Sequence, residues 1–176
     1  MRFLIPVGLA FSMLAMPAYA SDKFYKTFAD VGAIGIPVAA GVITLTEHDR
    51  NGFIQGAETG VAAMLTTTAL KYALDTQRPN GGRHSFPSGH ATLAFSGAGY
   101  LHARYGWKVG LPFELLAAGV AYSRVKTRDH HWYDVVAGAA IGEGSAFLLT
   151  SRLNDNVRVG IGGDTTGGAV SFAARF

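Results

Sequence analysis

Downstream of residue 20, apolar and small residues come in stretches of helical length, broken by short clusters of turn formers. Val31 to Thr46 is an uncharged run of 16 residues that stops at Glu47-His48-Asp49-Arg50-Asn51-Gly52, a polar connection that ends a first helix. Phe53 to Leu74, rich in Ala, Thr and Leu with Glu58 in its first half, predicts a second helix, closed by Arg78-Pro79-Asn80-Gly81-Gly82. Ser88 has the chemistry of a cap for a third helix running to about Arg104, with Gly106 following. Leu111 to Arg124 predicts a fourth, and a fifth starts near Asp129 and continues to Arg152. Such helices with short connections make an all-α, antiparallel bundle of about five helices. Gly97-Ala98-Gly99 and the run Gly138 to Gly144 place small residues where helix axes can approach closely.

The two ends of the chain follow other patterns. Arg2, the apolar stretch Phe3 to Met16 and the small-x-small ending Ala18-Tyr19-Ala20 have the layout of a secretory signal peptide over residues 1–20, with Ser21 as the expected mature N-terminus. The apolar stretch is shorter than the roughly 20 residues needed to span a bilayer. At the other end, Val157, Val159 and Ile161 alternate with Arg158 and Gly160. After the glycine-rich segment Gly162 to Gly168, alternation resumes through Val170, Phe172, Ala174 and Phe176. Period two on both sides of a turn predicts a β-hairpin. The expected organisation is a signal segment over 1–20, a helical domain over 21–155 and a hairpin tail over 156–176.

Composition narrows the setting. The chain of 176 residues is 49% apolar and 15% charged, which excludes a disordered protein and falls below the ~25% charge of an ordinary soluble domain. A location in or on a membrane, or in an exported compartment beside one, fits better. The net charge is +3 with no basic run, which excludes nucleic acid as a partner. There is no cysteine, so an exported fold must hold by packing alone.

Three clusters carry candidate chemistry. Lys71 is followed after six residues by Arg78-Pro79 at the end of the second helix; alone, such a pair also fits solvated or dipole-pairing residues. Ser85-Phe86-Pro87-Ser88-Gly89-His90 leads into a helix whose first N–H groups are unpaired, an anion site by construction as well as an ordinary capped start. Gly89 lets the backbone approach an oxyanion closely, and His90 is in reach of the same anion. In the third cluster, Ser123-Arg124 precedes His130 by five residues, and Asp134 follows four after His130. On one helix face Asp134 would accept an imidazole N–H and leave the other ring nitrogen free as a base or nucleophile. The same pair also fits a helix surface without catalysis.

Taken in order, Lys71-x6-Arg78-Pro79, Pro87-Ser88-Gly89-His90 and Ser123-Arg124-x5-His130-x3-Asp134 resemble the signature of the type 2 phosphatidic acid phosphatase superfamily, at every motif position. That superfamily also includes class A bacterial acid phosphatases and vanadium haloperoxidases. The resemblance implies a metal-independent phosphatase without cofactor, acting on a phosphate ester such as a phosphorylated lipid, or alternatively on soluble esters in the periplasm. It implies that Lys71, Arg78, Ser88, Gly89 and Arg124 bind phosphate oxygens. By the same resemblance His130 is the nucleophile that forms a phosphohistidine, Asp134 orients it, and His90 protonates the leaving oxygen and later activates water. Charge agrees with this, since a phosphomonoester carries about −1.5 to −2 at neutral pH against three cationic side chains and one carboxylate. The expected location is exported, in the periplasm or in a membrane with the site facing the periplasm.

Other polar residues have weaker claims. His84, Asp129 and His131 flank the motifs as bystanders or leaving-group selectors; Glu58, Glu114 and Glu143 lie within helices; His48 and His102 read as surface residues. A metal-dependent hydrolase built from His84, His90, His130, His131 and Asp134 would set a cation beside three positive side chains, which repel it. A haloperoxidase would share the motifs in a far longer chain, and intact His90, His130 and Asp134 argue against a non-catalytic envelope protein.

Overall fold

The computed structural model describes residues 21–153 and the backbone of 157–164 and 167–174; the signal segment over 1–20 lies outside the described residues. Five helices follow in order: α1 Asp22–Thr46, α2 Arg50–Leu74, α3 Gly89–Tyr105, α4 Trp107–Lys126 and α5 Trp132–Leu149. The all-α bundle is as the hydrophobic pattern predicts, with shifted boundaries. Helix α1 begins at Asp22, nine residues before Val31, because Ser21 caps it by accepting the N–H of Phe24 at 3.3 Å. Its early charges sit beside a core face of Tyr25, Ala29, Ala33 and Ile36. Helix α2 starts at Arg50, capped by Asp49, and α4 starts at Trp107, directly after Gly106 at φ +87° turns the chain out of α3. Helix α5 starts at Trp132 and stops at Leu149, so His130 and Asp129 precede the helix and Arg152 follows it.

Helix α3 is the hub and packs on all four others. Its buried residues are small, with Ala91, Ala94 and Ala98 fully inaccessible, and neighbouring axes come close enough to touch backbone. A Cβ on Gly97 would lie 2.9 Å from the nitrogen of Pro37 in α1, and one on Gly142 would lie 2.6 Å from the carbonyl oxygen of Thr92. These glycines make the contact that the small-residue spacing predicted.

Charge is buried at the end of the bundle opposite α3's N-terminus. Arg104 donates from Nε to Asp49 Oδ2 and from NH2 to Asp49 Oδ1, both at 2.7 Å, and NH1 reaches the carbonyl of Ser151 at 2.6 Å. The pair ties the α1–α2 connection to the ends of α3 and α5, and Arg104 at 6% exposure is a helix-end residue that sequence gave no reason to place inside. His102, expected at the surface, is half-buried against Glu114 of α4.

The tail forms the expected hairpin: β1 Val157–Asp164 pairs antiparallel with β2 Gly167–Ala174. The register sets Val159 opposite Phe172 and Ile161 opposite Val170. The strands take in Gly162, Gly163, Gly167 and Gly168, all of them read as turn from the sequence.

Candidate active site

The three motifs meet where α3 and α5 begin and α2 and α4 end. The main chain joins two of them, since the N–H of Ser88 donates to the carbonyl of Asp134 at 2.9 Å. That approach depends on Gly138, one turn after Asp134 in α5, whose Cβ would lie 2.5 Å from the Ser88 carbonyl oxygen. Ser88 also caps α3, accepting the Ala91 N–H at 3.4 Å.

His130 is not on a helix face. It sits in the connection before α5, held by its N–H to the Arg124 carbonyl at 3.1 Å, and is 2% exposed. Its Nδ1 lies 3.5 Å from Asp134 Oδ2 without a hydrogen bond between them, so loop geometry and not a shared helix face brings the two side chains together. Asp134 occupies the third position of α5, where its carboxylate accepts the His131 N–H at 2.8 Å and caps the helix. The same oxygen accepts the hydroxyl of Ser85 at 2.5 Å. Ser85 is fully buried. It is a site residue to which the sequence reading assigned no role, because a serine two residues before Pro87 resembles any loop serine. Asp134 is thus fixed by two donors before it meets His130, whose own Nδ1 has no hydrogen-bond partner among the described residues.

The cations divide into two roles. Lys71 donates to the carbonyls of His84 and Pro87 at 2.7 Å each and reaches Ser85 at 3.4 Å, so it gathers the 84–87 loop around its ammonium while keeping a positive charge near His130. Burial and the neighbouring Arg78 lower its pKa to about 8. Arg78 stands on a turn closed by its N–H to the Gly82 carbonyl at 2.7 Å; the turn needs Gly81 at φ +88°. Arg78 spends only Nε, on the Arg83 carbonyl at 3.2 Å. Arg124 is 7% exposed, with NH2 3.4 Å from Asp129 and NH1 3.7 Å from Asp30. Asp129 is no bystander, since it also accepts from Thr127 at 2.7 Å and Asn80 at 3.0 Å.

Gly89 faces open space, with Met64 Cε 3.9 Å from where its Cβ would be. Next to it, His90 Nε2 lies 2.8 Å from Oδ1 of Asp30 in α1. Of the flanking residues, His84 pairs with Asp75 at 3.0 Å and His131 stacks on Tyr133.

Burial, together with Arg78, Lys71 and Arg124, pushes the His130 pKa down to about 4, against a smaller opposing pull from Asp134. The imidazole is therefore neutral and one ring nitrogen carries a lone pair over a wide pH range. Burial first, then Arg124, also holds His90 below its ordinary 6.5, opposed by Asp30 and Asp129. A neutral, oriented imidazole ringed by three cations and beside a helix N-terminus can attack an anionic electrophile that the cations attract.

This combination of helical bundle and three convergent motifs defines a phosphate-handling class, and the chain belongs to the PAP2 superfamily, whose family model matches residues 55–158. Among individual proteins, it is 35% identical over 129 residues to a lipid A 4'-phosphatase of Helicobacter pylori, covering 66% of this chain and 65% of that protein. The chain thus spans about two thirds of that relative's length and only 22% of a putative phosphatidate phosphatase of Drosophila melanogaster, with which it shares 38% identity over 42% of its own length. A lipid A 1-phosphatase of Helicobacter pylori is 29% identical, with 87% of this chain and 85% of that protein covered. The fold is similar to the crystal structure of Aquifex aeolicus LpxE at a TM-score of 0.65 and 20% identity, covering 84% of this chain and 95% of that one. It is also similar to a transmembrane PAP2-type phosphatidylglycerolphosphate phosphatase from Bacillus subtilis, at 0.61 and 18% identity, covering 81% of each chain.

Proposed function

We propose that the chain is a phosphatase of phosphorylated lipids that works through a phosphohistidine on His130, without a metal. The observation that carries this reading is the convergence of Lys71, Arg78 and Arg124 on a buried His130 whose Nδ1 lies 3.5 Å from Asp134. Nε2 attacks phosphorus, and Asp134 stabilises the imidazolium that results. Arg78, Arg124 and the N–H groups of the first turn of α3 hold the phosphoryl oxygens. His90 gives its proton to the departing oxygen and then takes one from the attacking water.

Lipid as the substrate class is supported by the surface and by a cavity. Val31, Ile34, Val38, Leu65 and Leu148 are each more than half exposed, a surface that suits hydrocarbon better than water. Helix α1 has the length and composition to cross a bilayer. An apolar cavity of about 360 Å³ opens between α1, α2 and α3, lined by Pro37, Gly56, Gly60, Val61, Leu93 and Gly97. It starts one turn below His90 on α3, where an acyl chain hanging from a bound phosphate would enter. In this reading the bundle sits in a membrane with the site at its exported surface, and the site residues occupy helix ends and connections outside the spanning segments. The names of the relatives favour a phosphorylated glycolipid of the lipid A type among the candidates.

The test is phosphate release from lipid A, phosphatidate, phosphatidylglycerophosphate and a soluble monoester, with and without EDTA, using detergent-solubilised protein. The reading expects turnover of at least one lipid that EDTA leaves unchanged and vanadate inhibits. Activity confined to the soluble ester, or restored only by zinc or magnesium, contradicts it.

A further inference from the structure

Asp30 belongs to none of the three motifs and lies outside residues 55–158, where the family match falls. It nevertheless faces the centre of the site. Its Oδ1 is 2.8 Å from Nε2 of His90 on α3 and 3.7 Å from NH1 of Arg124 on α4. Packing does not explain the placement, because the core face of α1 is carried by Ala29, Ala33 and Ile36 while the Asp30 side chain is 62% exposed. Electrostatics makes it unfavourable for binding, since a carboxylate against Arg124 and His90 repels the dianion these groups would receive. A group that opposes binding yet touches the proton-carrying histidine has its use in the chemical step.

Resting on the phosphatase reading above, we propose that Asp30 is a positioning residue for leaving-group protonation, accepting His90 Nε2–H so that Nδ1 carries the mobile proton. As the bond from His130 Nε2 to phosphorus forms and the ester P–O bond breaks, the electron pair stays on the departing oxygen. That oxygen takes the proton from Nδ1 of the His90 imidazolium, which becomes neutral. In the second step the neutral Nδ1 takes a proton from water as the water oxygen bonds phosphorus and the P–N bond breaks, restoring the imidazolium. The charged groups facing His90 are Asp30 from α1, Asp129 from the α4–α5 connection and Arg124 from α4. Asp30 is the one in hydrogen-bond contact, so its carboxylate sets both the ring's orientation and the pH range over which the acid form persists.

The experiment uses full-length solubilised protein, wild type against Asp30→Asn and Asp30→Glu, with two readouts. Histidine-selective ¹⁵N NMR, with His90 assigned from His90→Gln, follows the titration of that ring. Steady-state kinetics compares an alkyl lipid phosphate with p-nitrophenyl phosphate, whose leaving group needs little protonation. In Asp30→Asn the His90 titration is expected to move down by about one pH unit. The kcat for the alkyl ester should fall by about tenfold with KM unchanged or lower, the aryl ester should lose only about twofold, and Asp30→Glu should recover most of the loss. An unmoved His90 titration overturns the pairing. Equal losses for both esters, or a loss expressed in KM alone, overturn the leaving-group role. Wild-type protein that hydrolyses neither ester while the titration still moves overturns the phosphatase reading instead, and the leaving-group step with it.

Discussion

The N–H of Ser88 donates to the carbonyl of Asp134 at 2.9 Å, so the helix start proposed to hold phosphate and the residue proposed to orient His130 are joined through main chain. Side-chain motion cannot separate them. The distance between the phosphate cradle and His130 is thereby set by how closely α5 packs on α3, and Gly138 and Gly142 govern that packing.

The packing dependence is directly testable. Gly138→Val places a side chain against the Ser88 carbonyl, and overpacking of this kind destabilises by about 1–3 kcal/mol. We expect a lower thermal midpoint in detergent and loss of activity even in the folded fraction. Gly144→Ala, where a Cβ meets nothing within 4 Å, should leave both unchanged. Equal tolerance at the two positions would show that the α3–α5 approach does not set the site.

Ser85 should matter as much as a motif residue. Its hydroxyl bonds the Asp134 oxygen that faces His130, so Ser85→Ala frees the carboxylate to turn. The expected result is a loss of about tenfold in kcat, worth roughly 1.4 kcal/mol of transition-state stabilisation, with KM little changed. Wild-type kinetics in this variant would mean that the His131 N–H alone fixes Asp134.

The pH dependence follows from two histidines pushed the same way. His130 must be neutral to attack, so kcat/KM should rise as pH increases through about 4. His90 must be protonated to act as acid, so the rate should fall again at a pH below 6.5. An acidic bell results. Measured with two substrates of different second phosphate pKa, the enzyme's limbs stay in place while a substrate limb moves. An acid limb near 6.5, or an alkaline optimum, would contradict the assigned protonation states.

What sequence made legible here follows the range of each interaction. The motif residues could be read because their chemistry is tied to fixed spacing along the chain, and five apolar stretches sufficed for the bundle. The start of α5 could not be placed, because His131 is an unusual N-cap, paired with Asp134 in a capping box; hence the expectation of a shared helix face for His130. Asp30 carries no signal in the sequence, because the apolar run begins one residue after it and its partner His90 is 60 residues away. Arg104 likewise has its meaning only in Asp49, 55 residues earlier. Long-range polar pairs leave no periodic trace, and they complete both ends of this molecule.

If His130 forms the covalent bond to phosphorus, rapid quench with a radiolabelled p-nitrophenyl ester should trap it. His90→Ala slows hydrolysis of the intermediate while the aryl leaving group still departs, so label should accumulate in an acid-labile, base-stable form on a peptide containing His130. No label should appear in His130→Ala. Label that persists in His130→Ala, or turnover by that variant at a rate near wild type, would rule out His130 as the nucleophile.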